Sequence, residues 1–383
     1  MKILFWTLLS LIFYCYLGYP LLISLLSRFF PKPVHKSAIF PSVSIIIAVH
    51  NEEDVIKAKL DNLLSLDYPK DMIEILIGSD ASTDRTHQII QNYQDGRLRV
   101  LINPQRRGKM MTVNDLVALS RNEIIFFNDA RQLLAKGALK NLVQNFADPS
   151  VGCASGELIF IKTEGGIAQG VNLYWEYEKF IRCHEARLHS MLGATGAIYA
   201  IRKSLYKPAP AEIVLDDMYI PLKIIAQGHR AIFDGTAHAF DKAAHSAAEE
   251  YRRKARTLYG NYQIFALFPG LFNPIKSPIA IQLFSHKFLR VMVPFLMALL
   301  LPLNFLMIDA GFYKLFFALQ IIFYAAAFIG ALSRGQKLYI FKPMSKLCYV
   351  PYVFCLLNFA ALAGFYRFIG AKQGTAWQKA RIQ

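Results

Sequence analysis

The sequence predicts an α/β domain, with a mostly parallel sheet and helices on both faces, joined to α-helical transmembrane segments. Three observations carry this. Between residues 43 and 127, apolar β-branched runs alternate with segments of helical spacing, and strict β-α-β-α order implies parallel strands covered by helices. Ile3–Ser27, Val291–Ile308, Leu315–Ser333 and Leu347–Tyr366 contain no charged residue, and each is near the ~20 residues that cross a bilayer core. Hydrophobic residues make up 54% of the chain, and the excess is concentrated in those four segments.

The elements follow in order. Residues 1–28 form the first membrane helix, and 29–41, with Pro31, Pro33 and Pro41, an extended linker. Val43–Val49 is a continuous β-branched run, as in a strand buried on both faces. Glu52–Leu66 has helical spacing, with Val55, Leu60, Leu63 and Leu64 apolar. Strands at Ile73–Ile77, Arg99–Ile102 and Glu123–Phe127 alternate with helices at Arg85–Tyr93 and Met110–Ser120. Beyond residue 150 the pattern is mixed: strands at Val151–Ile161, Gly196–Ile201 and Arg230–Phe233, helices at Val171–Leu188 and Asp216–Gln227, and a basic, aromatic helix at Glu249–Phe265. The soluble domain spans 42–262, an interfacial segment 263–287, about three membrane helices 288–369, and a tail 370–383.

The formal charge is +16. Arg28, Lys32 and Lys36 follow the first apolar segment, and Arg334, Lys337, Lys342 and Lys346 lie between the last two. Flanking charge of this kind is the positive-inside pattern, reinforced by anionic membrane lipids. It puts the soluble domain in the cytoplasm and the chain in a cell membrane as a multi-pass protein. Four crossings would then leave Lys372, Lys379 and Arg381 outside, so either the tail departs from the rule or one segment does not fully cross. A nucleic-acid partner is set aside, because only Tyr251–Tyr262 sets aromatics among the basic residues. The five cysteines include no C-x-x-C pair and read as reduced packing residues.

Chemistry gathers at strand ends. Glu52, Asp80 and Asp129 each close or follow a predicted strand, where ligands of parallel sheets bind. Asp216-Asp217 and the basic run Arg252–Arg256 come later. Carboxylates held between membrane anchors, with arginines following, fit the handling of a phosphate-bearing small molecule at a membrane surface.

The stretches VSIIIAVHNEED, GSDASTDRT, RRGKMMTVN, FFNDA, GATGAIYAIRKSLY and LDDMY occur in the order and approximate spacing of family 2 inverting glycosyltransferases. Over residues 41–260 the chain resembles the membrane-embedded, polysaccharide-synthase-like branch of that family. The resemblance implies a GT-A fold and transfer of a sugar from a nucleotide diphosphate to an acceptor hydroxyl.

For the donor, the resemblance implies that the loop of Glu52 borders the base and that Asp80 accepts its imide N–H, which fits uracil and a UDP-sugar. Taken alone, Glu52 is a helix first-turn acid, Asp80 a turn residue and Asp84 a cap. Lys109 is a candidate for the donor phosphate or ribose, or else a solvated lysine, and Gly108 would let the backbone come close. Asp129 matches the first acid of the family's DxD element, which holds a divalent cation (Mg2+ or Mn2+) against the diphosphate. Here Arg131 stands where the second acid is expected, and either offsets phosphate charge or faces solvent. His238 and His245 are candidates for a later metal ligand, although a lone histidine is ordinarily not one.

For the acceptor, Asp217 matches the family's general base; taken alone, Asp216-Asp217 is an acid pair at a helix N-terminus. Gly193-Ala194-Thr195-Gly196 resembles the loop beneath the acceptor, so Gly193, Thr195 and Asp216 are acceptor-site candidates; turn glycines are the plain alternative. Arg253 and Arg256 stand where processive members carry Q-x-x-R-W and would clamp the diphosphate; an amphipathic helix at lipid headgroups is the other reading. The Gln and Trp of that element are absent. The partners implied are a nucleotide-sugar donor, a lipid-linked or saccharide acceptor, membrane lipids and envelope-polysaccharide assembly proteins. A processive polysaccharide synthase and a non-catalytic nucleotide-sugar-binding membrane protein stand as alternatives.

Overall fold

The computed structural model describes residues 1–161, 166–242, 247–309, 311–332 and 342–370, with the backbone alone for 166–174, 247, 250 and 342–347. His245 and the basic tail residues lie outside the described residues.

Among the described residues eight strands form one sheet: β1 (Val43–Val49), β2 (Ile73–Asp80), β3 (Leu98–Asn103), β4 (Ile124–Phe127), β5 (Leu133–Leu134), β6 (Val151–Ile161), β7 (Tyr199–Arg202) and β8 (Arg230–Lys242). Their order is β3-β2-β1-β4-β7-β6-β8-β5. The first four are parallel, as their alternation with helices requires. Antiparallel β7 joins β4 to β6, and β8 pairs with β6 in parallel. The fold class expected from sequence holds. All seven β1 residues are buried, which accounts for its unbroken apolar run.

Two details differ from the sequence reading. β8 runs on to Lys242, because His238–Lys242 pair with Glu157–Ile161 past a register shift. The sequence reading ends this strand at Phe233; the shift absorbs the polar residues that follow as a bulge. The two-residue strand β5 also escapes pattern reading, being too short to show a period.

The helices are α1 (Lys2–Phe29), α2 (Ile56–Leu64), α3 (Thr86–Gln91), α4 (Lys109–Leu119), α5 (Ala138–Val143), α6 (Gly166–Leu188), α7 (Asp216–Ala226), α8 (Ala247–Leu267), α9 (Ala280–Phe305), α10 (Gly311–Leu332) and α11 (Lys342–Ile369). Among the described residues, four helical stretches are long and apolar enough to cross a membrane: α1, α9, α10 and Cys348–Ile369 within α11. They present many exposed apolar side chains, Leu21, Leu299, Ile322 and Phe359 among them, as lipid-facing helices do. α9 begins well before the uncharged stretch at Val291, so its first turns carry His286, Lys287 and Arg290.

The domain core is continuous from β1 to the start of α9, where Ile279 and Leu283 are buried with it. The domain is therefore seated on its membrane helices by shared packing. The carboxyl ends of β1, β2 and β4 open on one side, and the loops leaving them build the site.

Candidate active site

The loops after β1 and β2 are stitched together. His50 Nδ1 lies 2.7 Å from the Asp80 carbonyl oxygen, and Asn51 Oδ1 accepts the Thr83 N–H at 2.7 Å. Asn51 and Ala81 both have positive φ, a left-handed conformation that such cross-bonding helps to hold. Glu52 is buried, at 4% exposure, and its N–H donates to Thr86 Oγ1 at 2.8 Å. Asp84 accepts the Thr86 N–H and hydroxyl just ahead of α3.

Asp80 is fully buried. Its two carboxylate oxygens accept the N–H groups of Arg107 and Gly108, at 2.7 and 2.9 Å. Here each oxygen holds one N–H of the 107–108 backbone and keeps acceptor capacity for a further donor such as a base N–H. The effect is to fix the turn that launches α4. Gly108 makes that turn possible with φ of 91°, which a side chain would oppose.

Lys109, the first residue of α4, thereby reaches across the strand ends. Its Nζ lies 3.0 Å from Asp129 Oδ1 and 3.0 Å from Asp216 Oδ2. Burial alone would push the ammonium down, but the two carboxylates outweigh it and hold the lysine well above its usual range. Lys59 sits on the other side. It is fully buried on α2, donates to the Gln132 carbonyl, and is driven down to about 7 by burial, with Asp129 opposing. Arg131 itself is exposed.

Asp216 and Asp217 open α7. The Ala194 N–H donates to the Asp217 carbonyl at 2.7 Å, so the 193–196 loop lies directly against the acid pair. A Cβ on Gly196 would come 3.2 Å from Asp129 Oδ2 and 3.7 Å from Asp217 Oδ2. Gly196 is thus the wall between two carboxylates. The Asp217 carboxylate accepts no hydrogen bond from any described residue. Burial and the neighbouring Asp216 push it up to about 6; Lys109 and Arg182 pull it down, and Asp129 adds to the rise. Thr195 is buried, bonded by its N–H to Ser155 Oγ at 3.0 Å and by its hydroxyl to Arg182 Nη1 at 2.8 Å.

Arg253 and Arg256 lie on α8 one to two turns before Gly260 and on the same stripe. A Cβ on Gly260 would come 2.4 Å from Leu215 Cγ, so that stripe is pressed against the residue preceding Asp216-Asp217. The structure therefore brings together Lys109, Asp129, Asp216, Asp217, Gly193 and Thr195, with the α8 arginines on the adjoining helix face, Asp80 tied to the turn before Lys109 and Glu52 in the loop bonded to Thr86.

As a metal centre the pocket is incomplete by itself. Among the described residues no three His, Cys, Asp or Glu side chains cluster as ligands, and an ammonium already bridges Asp129 and Asp216. His238 Nε2 is 2.8 Å from the Gly235 carbonyl on its own strand. A cation would need the oxygens of a bound diphosphate to complete its shell.

Two residues were invisible in this role from sequence, Lys59 and Arg182. Lys59 did leave a signal, a charge inside the apolar stripe Ile56, Leu60 and Leu63. Arg182 left none, because a polar stripe on α6 reads as solvated.

A mostly parallel sheet with acids gathered at its strand ends and cations beside them is the architecture of an α/β domain that binds a small molecule beyond the carboxyl ends of its strands. Residues 44–208 match the family model described as Glycosyl transferase family 2, and the domain that contains them has a GT-A-like fold. The chain is similar to the poly-beta-1,6-N-acetyl-D-glucosamine synthase of Staphylococcus aureus (strain MSSA476), 23% identical over 64% of this chain and 60% of the relative. It is also similar to the probable glycosyltransferase YdaM of Bacillus subtilis (strain 168), 24% identical over 65% of this chain and 62% of that one. It thus spans under two thirds of these relatives' length. In fold it is similar to a mannosyltransferase of Pyrobaculum calidifontis solved in complex with GDP-Man and Mn2+, with TM-score 0.71 and 22% identity over 97% of this chain and 100% of that one.

Proposed function

We propose that this protein is an inverting glycosyltransferase integrated in the cell membrane, with its catalytic domain on the cytoplasmic side. It moves a hexosyl or N-acetylhexosaminyl group from a UDP-sugar to a hydroxyl of a lipid-linked or growing saccharide, in cell-envelope or exopolysaccharide synthesis. The observation that carries this reading is the Asp217 carboxylate, half-buried against the 193–196 loop, unbonded by the described residues and raised to about 6. A base poised near neutrality accepts a proton well at physiological pH.

In a single displacement, Asp217 takes the proton of the acceptor hydroxyl as its oxygen attacks the anomeric carbon from the side opposite the diphosphate. Gly193, Thr195 and Asp216 form the acceptor's floor, and Gly196 leaves room for a sugar beside the base. Arg253 and Arg256 face the leaving diphosphate, and Lys109 holds Asp129 and Asp216 together across the strand ends. Glu52 and Asp80 support the nucleotide side by ordering the loops that meet it. A Mg2+ or Mn2+ ion would be held by Asp129 together with the donor's own phosphates, and would supply charge neutralisation of the leaving group. Membrane lipids surround the four apolar helices and bring the acceptor to the domain.

The test is UDP release by the detergent-purified full chain with a panel of UDP-sugars, alone and with lipid-linked acceptors, beside Asp217→Asn. Turnover of one donor that disappears in Asp217→Asn is the expected result. Turnover unchanged in Asp217→Asn would overturn the assignment of the base, and binding of a UDP-sugar without turnover under any condition would favour a non-catalytic binder.

A further inference from the structure

Helix α6 is fastened to the membrane helices by ionic groups withdrawn from water. His286 and Glu185 are fully buried and Glu178 is 3% exposed. His286 Nδ1 lies 2.8 Å from Glu185 Oε1, and its Nε2 lies 3.2 Å from Glu178 Oε2. The Tyr19 hydroxyl of α1 donates to the same Glu185 oxygen at 2.6 Å, and Arg290 of α9 pairs with Glu178. Burial would raise the Glu178 carboxyl, but the cations around it hold it well below its usual range. Groups so paired resist separation, because removing one partner strands a buried charge. α6 is therefore a rigid element relative to α1 and α9.

Glu178, Arg182 and Glu185 are spaced i, i+4 and i+7, one stripe of the helix. The anchored stripe thus carries Arg182 to the site, where Nη1 donates to Thr195 Oγ1 at 2.8 Å. Its guanidinium also lies over the Trp175 ring, 5.7 Å from the centroid, which fixes the plane from a second direction. Thr195 is held from behind by Ser155 Oγ, and its neighbour Ala194 bonds the Asp217 backbone.

We propose that Arg182 is a positioning residue for the transfer reaction: through Thr195 it sets the 193–196 loop against Asp217, on a helix whose own placement is fixed by the membrane helices. This rests on the reading of Asp217 as the base. Arg182 here needs no contact with substrate. Its guanidinium also lowers the Asp217 carboxyl electrostatically; at a pH well above 6, where Asp217 is ionised with or without it, the remaining effect passes through the Thr195 hydroxyl, so removing either partner should cost the same thing once.

The test is a double-mutant cycle on the full chain in detergent, with Arg182→Gln, Thr195→Val and the pair, plus Arg182→Lys. We expect each single change to lower kcat roughly tenfold, as loss of orientation does, with donor KM within about twofold. The double variant should fall no further than either single one, and Arg182→Lys should recover part of the rate. Multiplying losses, or a raised KM at unchanged kcat, would overturn the proposal and mark Arg182 as a direct ligand. If Arg182→Gln does not fold, Thr195→Val with wild-type kcat would overturn it as well. Asp217→Asn separates the two readings: an active Asp217→Asn removes the base assignment, whereas an inactive one with multiplying losses removes only the role of Arg182.

Discussion

The Lys109 ammonium lies 3.0 Å from Asp216 Oδ2 and makes a second contact of the same length with Asp129, so one cation holds the acids of two separate loops. Lys109 and Asp216 are both mostly covered, with side-chain exposures of 21% and 12%. Lys109→Met should leave two carboxylates facing each other without compensation. The expected outcome is a stability loss of about 3 kcal/mol, the range for breaking a buried pair, and loss of transfer. Thermal unfolding and UDP release on the same preparation check both.

The pH dependence follows from Asp217. Its carboxyl is pushed up to about 6 by burial and by Asp216, against Lys109 and Arg182. A base must be ionised to accept a proton, so kcat should fall as pH drops through about 6. The stability sign is the opposite of that for a salt-bridged acid. The folded state binds this proton more tightly than the unfolded chain does, so the contribution is fully present below the unfolded value near 4. It is lost as pH rises through about 6. At neutral pH the ionised Asp217 therefore weighs against folding, and Asp217→Asn should be at least as stable as wild type at pH 7.5 while losing roughly 10²- to 10⁴-fold in rate. A Tm well below wild type would instead mark Asp217 as structural.

How much of this was legible in the sequence differs by residue. β1, β2 and β4 announced themselves because strands buried on both faces must be apolar throughout. Asp217 and the 193–196 loop could be named from motif order, but their contact through Ala194 belongs to tertiary structure. Asp80 shows what tertiary structure adds: its position was readable, but the hold its oxygens take on the Arg107 and Gly108 N–H groups comes from a loop leaving another strand. The Glu178–His286–Glu185 cluster was unreadable for a similar reason. Its members come from α6 and α9, and charged residues near apolar segments look like ordinary flanking charge until both helices are packed together.

Metal retention should depend on the donor. Asp129 has Arg131 two residues on in place of a second acid, and no three-ligand cluster exists among the described residues. The donor-free protein should hold Mn2+ weakly, and addition of a UDP-sugar should tighten it, since diphosphate oxygens supply the missing ligands. Arg131→Asp should raise donor-free Mn2+ affinity by removing a cation and adding a carboxylate. Electron paramagnetic resonance of added Mn2+ measures the bound fraction in each case. Equal affinity in wild type and Arg131→Asp would count against Asp129 as the protein's contribution to the ion.

Gly260 offers a test of how α8 is placed. An added Cβ would lie 2.4 Å from Leu215 Cγ and 2.9 Å from Leu215 Cδ1, too close for the branched carbon of a half-buried leucine to evade by rotating its tip. Gly260→Ala would ordinarily favour an exposed helix by up to ~1 kcal/mol, so propensity and packing pull in opposite directions. Packing should win: the helix must back away from Leu215, and overpacking of this kind costs about 1–3 kcal/mol. Because Arg253 and Arg256 share that stripe and Leu215 precedes the acid pair, the displacement should separate the arginines from the base. The expected signature is a higher KM for the donor and a lower kcat, with Tm reduced by a few degrees. Leu215→Ala in the same chain should restore part of both by emptying the space the new methyl needs, and a Gly260→Ala variant with wild-type kinetics would show that α8 does not hold the diphosphate side of the site.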